Sequence, residues 1–388
     1  MLRPLTALRF GAALLVFPWH AAATRGIAMH YSLGYAGVTF FYVLSGFILT
    51  HTYGAVVERG LTRHSVARYL VARFARIYPV HLCAMLLTLG VLIWIGGDHW
   101  SAADARLRVA EVASQVVLVQ AWFPSQDVHF GVNGPAWSIS VECFFYALFP
   151  LLLFAALRTF RAASWRLVLC AAAAAWASFA LFLLTIPAAF DQWSLYVFPP
   201  VRLIDFASGI LLALVYAKRA NAKLPIDATV LEAAALVGMA LAAGCSVLTP
   251  QSLHFSAVFL PFCGFAIYVF ALGAGRISGV LASPVAVRLG EASYAFYLLH
   301  LNAIHVVEHT LRGRSNGAAF GVSLALSILL ALAVYSGVEA PLRRRIRDAW
   351  ERRAAASRPD APARILPAGA GTTAVWQRYS ATAETRFP

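Results

Sequence analysis

LRFGAALLVFPWH, Leu8 to His20, is the stretch on which the reading of this chain turns. It is an apolar helical segment with Arg9 near its first turn, His20 near its last, and ten uncharged residues between them. At ~100° per residue, eleven steps make three turns plus roughly 20°, so the two side chains share one face, ~16 Å apart along the axis. An ionisable pair inside a segment of hydrocarbon length is costly in lipid, and such residues by default line a polar cavity or a substrate path. A plainer arrangement competes with that one: Arg9 snorkels to the headgroups and His20 rests at the opposite interface.

The rest of the chain supplies the setting. Of 388 residues, 61% are hydrophobic and 12% charged, and the mean hydropathy is +0.72, outside the range of ordinary soluble domains. Nothing alternates like barrel strands, so the expectation is an all-α fold, a polytopic membrane helix bundle. Apolar windows fall at about 5–22, 33–53, 77–97, 137–157, 166–186, 201–217, 229–248, 255–273, 291–308 and 318–338, about ten transmembrane helices.

The net charge of +14 does not indicate nucleic acid, because the basic residues sit in short loops between apolar windows. Arg59, Arg63, Arg68, Arg73 and Arg76 fall between the second and third windows, Arg158, Arg161 and Arg166 between the fourth and fifth, and Lys218, Arg219 and Lys223 between the sixth and seventh. Arg276 and Arg288 follow the eighth window and Arg343, Arg344, Arg345 and Arg347 the tenth. The alternate loops are poorer in positive charge: Asp98, Asp104, Glu111 and Asp127 offset Arg106 and Arg108, Asp191 stands alone, and Arg25, Arg312 and Arg314 are the exceptions. The bias places both termini in the cytoplasm. Residues 1–348 read as one transmembrane domain and 349–388 as a disordered cytoplasmic tail rich in Ala, Pro, Arg and Thr. Within the longest connection, 104–119 has the spacing of a helix lying on the membrane or on the bundle. Cys83, Cys143, Cys170, Cys245 and Cys263 lie in or beside apolar runs without ligand spacing, which reads as small buried hydrophobes, with no metal site and no bound cofactor.

Other polar residues interrupt the windows. Ser45-Gly46 lies mid-window in GVTFFYVLSGFILT, where a small residue permits close helix contact. Arg73 and Arg76 are one turn apart, with Arg68 nearby, and arginines so spaced suit bidentate phosphate binding as well as membrane anchoring. In PAWSISVECFFYALFP, Glu142 follows Ser138 by one turn, and the assigned direction places Glu142 at about the depth of His20, as an orienting partner for a histidine base. Arg202 and Asp205, at i and i+3, are placed to satisfy each other, although Arg202 also competes for Glu142. Ser293, Tyr297 and His300 share LGEASYAFYLLH; serine and histidine cannot meet across two turns of one helix, so His300 reads as a cavity-lining hydrogen-bond partner.

Taken in order, Arg-x10-His, GVTFFYVLSGFILT, RFARIYP, WSISVECFFY, LGEASYAFYLLH and the closing VEAP resemble the acyltransferase family 3 membrane proteins from about residue 2 to 345. The resemblance implies an O-acyltransferase in a bacterial plasma membrane, moving an acyl group, acetyl first among the candidates, from cytoplasmic acyl-CoA to a hydroxyl of a glycan or lipid-linked saccharide. It matches His20 to the family's essential histidine, Arg9 to its basic partner, Arg73 and Arg76 to its paired arginines, and Glu142 to its glutamate. Some relatives add a span and an extracytoplasmic hydrolase-like domain, and the expectation here is of neither.

On this reading Arg9, Arg68, Arg73 and Arg76 hold acyl-CoA, His20 and Glu142 carry the catalysis, and Ser45, Ser138, Arg202, Tyr297 and His300 line the substrate cavity. Tyr297, Ser138 and His300 are candidates by type for oxyanion donors. The alternative is a proton-coupled transporter or a flippase of a polar or lipid-linked substrate, which uses the same intramembrane residue types. Such proteins pair broken helices in two corresponding halves, and this sequence has no internal repeat.

Overall fold

A computed structural model of the chain describes residues 2–27, 33–96, 105–186, 192–219, 226–311 and 315–356. The charge assignments for Asp98, Asp104, Asp191, Lys223, Arg312 and Arg314 lie outside the described residues. Among those described, the regular structure is helical and no strand occurs. The helices of six residues or more are α1 Arg3–Ala23, α2 Leu33–Arg59, α3 Arg63–Trp94, α4 Ala105–Val116, α5 Trp137–Phe160, α6 Trp165–Thr185 and α7 Pro199–Arg219. They continue with α8 Ala228–Ser246, α9 Leu260–Leu272, α10 Arg276–Leu281, α11 Pro284–Thr310, α12 Asn316–Val334 and α13 Ala340–Ala356, a π turn, Tyr335–Glu339, joining the last two. The chain is an integral, multi-pass membrane protein.

All ten apolar windows fall on helices, and eight of these helical stretches are long and apolar enough to cross a membrane. The two that fall short do so for different reasons. Helix α9 has 13 residues, ~20 Å against a hydrocarbon core of ~30 Å. Helix α11 is long enough, at 27 residues, but carries Ser293, His300, Asn302, His305 and Glu308. It packs on α1, α3 and α12, and Gly290 to Val307 is largely buried, so protein rather than lipid surrounds its polar groups.

Helix α3 begins earlier than the window 77–97 predicts. Thr62 and Ser65 form a reciprocal capping box, with Ser65 N donating to Thr62 Oγ1 at 3.1 Å and Thr62 N to Ser65 Oγ at 3.0 Å. Arg68, Arg73 and Arg76 therefore ride on a helix, not in a loop.

Helix α1 is gripped by backbone contact on two sides. A Cβ added at Gly37 of α2 would lie 2.5 Å from the Ala12 carbonyl oxygen, and one at Gly290 of α11 would collide with that of Thr6. Helices α2 and α7 cross as closely, through Gly46 against Phe206 and Gly209 against Val43. The small residue expected beside Ser45 thus sets a helix crossing. On the periphery the pattern inverts: Leu181, Phe182 and Leu184 of α6 point outward, as a lipid-facing surface requires. Cys170 and Cys245 are exposed on that periphery, against the expectation that all five cysteines are buried; an outward thiol costs nothing where the solvent is hydrocarbon.

Helix α4 realises the helix expected in the longest connection, but with its polar side inward. Glu111, Ser114 and Gln115 are buried while Val109 is exposed. From there the chain turns back into the bundle, with Gln120, Ala121, Asn133 and Ala136 all buried. Backbone in short, interrupted turns inside a bundle needs protein partners, and it has them. Gln120 Nε2 donates to Ala136 O at 2.9 Å, Asn133 Nδ2 to Leu298 O at 3.1 Å, and Asn133 N to Gln115 Oε1 at 3.2 Å. The boundary placed at 348 falls inside α13, which runs to Ala356; 357–388 lie outside the described residues.

Candidate active site

The face of α1 that carries Arg9 and His20 organises two clusters, one at each end. At the His20 end, Nδ1 of His20 lies 3.0 Å from Nε2 of His300 on α11, with ring centroids 4.9 Å apart. Nδ1 of His300 lies 2.8 Å from the Tyr297 carbonyl oxygen and 3.3 Å from that of Phe296. His300 is fully buried, and Phe17 and Phe296 lie against its ring.

Glu142 is not part of this cluster. Its carboxylate accepts hydrogen bonds from Ser45 Oγ at 3.1 Å and Tyr146 OH at 2.9 Å, and its charged neighbours are Arg9 and Arg76. The expected pairing with His20 is therefore replaced by His300. Residues 128–136, which lead into α5, are buried or half-buried, so the helix begins inside the protein and Glu142 sits at the arginine end.

At that end the arginines gather. Arg73 packs between the rings of Tyr53 and Tyr146, its guanidinium 5.9 and 6.0 Å from their centroids. Arg76 lies over Tyr294 at 5.7 Å and pairs with Glu339. Arg343, read from the sequence only as part of a membrane-surface basic run, is the fourth cation, its charge acting on Arg9 and Arg76. No spacing rule links it to residues more than 260 positions upstream. Among the described residues Arg9, Arg73 and Arg343 make no ion pair. Even with Glu142 and Glu339 both ionised, four arginines leave two positive charges in excess. A half-buried excess of that size, built from planar guanidinium groups, suits a phosphate or diphosphate.

Arg68 does not join them. It pairs with Glu351 of α13 at 2.7 Å, and the two side chains are 63% and 50% exposed.

The five expected cavity residues are all held by protein partners. Arg202 is wholly buried, paired with Asp205 at 2.7 Å, bonded to Thr39 Oγ1 at 3.1 Å and to the Phe255 carbonyl, and sandwiched between Tyr42 and Tyr196. It satisfies Asp205, holds helices together, and neither competes for Glu142 nor faces a cavity. Ser45 serves Glu142. Ser138 Oγ donates to Pro135 O at 3.0 Å, Tyr297 bonds to Ser138, and His300 serves His20. Ser138 Oγ thus gives its proton to Pro135 O, and His300 Nδ1 faces the Tyr297 carbonyl. Among the described residues no His, Cys, Asp and Glu cluster could hold a metal ion.

A part-buried histidine pair and a half-buried arginine cluster, gathered at the two ends of one face of α1, give this helix bundle a proton acceptor at one end and an anion site at the other. The match to known proteins narrows this: the acyltransferase family 3 domain, described simply as an acyltransferase domain, covers residues 4–336, and the chain belongs to that family. The chain is 32% identical over 360 residues to the acyltransferase MdmB of Streptomyces mycarofaciens, covering 85% of this chain and 86% of that one. It is 29% identical to the exopolysaccharide production protein ExoZ of Rhizobium meliloti over 84% of this chain and 94% of the relative. With the putative membrane-bound transacylase BcsY of Komagataeibacter xylinus the identity is 28%, over 87% and 82% of the two chains. No solved structure matches. The protein is an O-acyltransferase.

Proposed function

We propose that the protein transfers an acyl group, acetyl foremost, from cytoplasmic acyl-CoA to a hydroxyl of a saccharide, free or lipid-linked, in a bacterial plasma membrane with both termini cytoplasmic. The observation that carries this reading is the layout of α1, which joins the arginine cluster to the histidine pair along one face. Arg9, Arg73 and Arg76 hold the phosphates, and Arg343 stands beside them. The thioester arm of the donor covers the ~16 Å to His20, which acts as general base on the acceptor hydroxyl. The names of the relatives include exopolysaccharide production and transacylation, which supports a glycan acceptor and acyl chemistry.

The test uses the purified protein in sealed vesicles of known orientation. Radiolabelled acetyl-CoA is supplied on one side at a time, and thioester loss is followed with a mixture of saccharide acceptors. The proposal expects consumption only when the donor reaches the arginine end. Absence of consumption with every acyl-CoA tried, together with proton-linked uptake of a polar solute, overturns it.

A further inference from the structure

We propose that His300 is a positioning residue that fixes the proton of His20 on Nδ1, and so makes Nε2 of His20 the base. This rests on His20 being the base of the acyl transfer. A backbone carbonyl only accepts, so Nδ1 of His300, 2.8 Å from Tyr297 O, carries a proton. In neutral imidazole the other nitrogen is then bare, and Nε2 of His300 is an acceptor. The nitrogen facing it at 3.0 Å, His20 Nδ1, therefore donates. One tautomer of His20 remains, with its lone pair on Nε2; the Val16 carbonyl one turn back also accepts from the His20 ring, and His300 adds the acceptor that faces Nδ1 from α11.

The chain of bonds is anchored at its far end by helix backbone, and its middle member is fully buried, so it has no alternative partner in water. A second histidine also orients the first without adding charge. A carboxylate in the same place would favour the imidazolium before any substrate arrives, and the structure keeps Glu142 among the arginines and Glu308 on Arg25.

In the reaction, Nε2 takes the acceptor hydroxyl proton as the oxygen–carbonyl bond forms, and the carbon–sulfur bond breaks. The same proton then passes from Nε2 to the departing CoA thiolate, which leaves as thiol. The Nδ1 proton stays in place throughout, and His300 is neither acid nor base.

The experiment compares wild type, His300→Phe and His300→Gln in nanodiscs. Phenylalanine keeps the ring shape and removes the acceptor; the glutamine amide oxygen can reach the position of Nε2. We expect His300→Phe to lower kcat by about 100-fold or more, with acetyl-CoA binding and KM within about threefold. His300→Gln should stay within about tenfold of wild type. Nitrogen-15 NMR of labelled histidine, with His20→Ala identifying the resonance, should show His20 protonated at Nδ1 in wild type and redistributed in His300→Phe. Wild-type turnover in His300→Phe, or a His20 proton on Nε2 in wild type, overturns the proposal. If wild type consumes no acyl-CoA, it is the acyl-transfer reading that falls, and the NMR result still decides whether His300 sets the tautomer.

Discussion

Arg76 of α3 forms an ion pair with Glu339, the last residue of the π turn that leads from α12 into α13. Their side chains are 15% and 0% exposed, so neither charge has water to fall back on. Removing one partner of a buried pair typically costs about 3–5 kcal/mol, because the other is left uncompensated. Glu339→Ala should therefore lower the thermal unfolding midpoint in detergent sharply. Glu351→Ala, which breaks the exposed pair with Arg68, should leave it nearly unchanged. Differential scanning fluorimetry of the two variants side by side checks this.

Gly290 sets the approach of α11 to α1, and with it the register of His300 against His20. A methyl group there would meet the Thr6 backbone, and backbone cannot give way as a flexible side chain can. Gly290→Ala should lose acyl transfer by more than tenfold, about the effect of misplacing a catalytic group by an ångström. Gly11→Ala, where nothing lies within 4 Å, should retain it. Activity per folded molecule, normalised by size-exclusion recovery, is the measurement.

The arginine cluster makes a prediction about charge shape. Lysine keeps the positive charge of Arg73 or Arg76 but loses the planar fork and the stacking on Tyr53, Tyr146 and Tyr294. Arg73→Lys and Arg76→Lys should each raise KM for acyl-CoA about tenfold or more with a smaller effect on kcat. Arg343→Ala should move KM in the same direction, whereas Arg68→Ala should not. Steady-state kinetics with titrated donor decide it.

Arg202 separates structure from catalysis. Arg202→Met leaves Asp205 buried without its cation, and folded yield should collapse. Replacing both, Arg202→Met with Asp205→Asn, should recover part of the yield. Recovery of folded protein without activity would instead assign Arg202 to the chemistry.

Much of this was legible in the sequence, for physical reasons. Ten apolar windows found ten helices because lipid leaves little choice of secondary structure. Arg9 and His20 share a face because eleven residues is close to a whole number of turns. Arg202 and Asp205 satisfy each other because i and i+3 are neighbours on a helix. What stayed hidden depends on tertiary placement. His20 meets a partner 280 positions away, which no local spacing announces. Glu142 appears level with His20 when α5 is assumed to start at the membrane surface, and the buried and half-buried residues 128–136 put its start inside the protein. Helix α11 hides its centrality because a helix walled by protein sheds the hydropathy that marks a span.

The central claim is that His20 does the chemistry and the arginines hold the donor. Wild type and His20→Ala, purified in nanodiscs, should be given radiolabelled acetyl-CoA, with bound donor and thioester loss measured in the same samples. Both should bind the donor with similar affinity, and only wild type should turn it over. A His20→Ala protein that transfers acyl groups at the wild-type rate, or a wild type that binds no acyl-CoA, would contradict it.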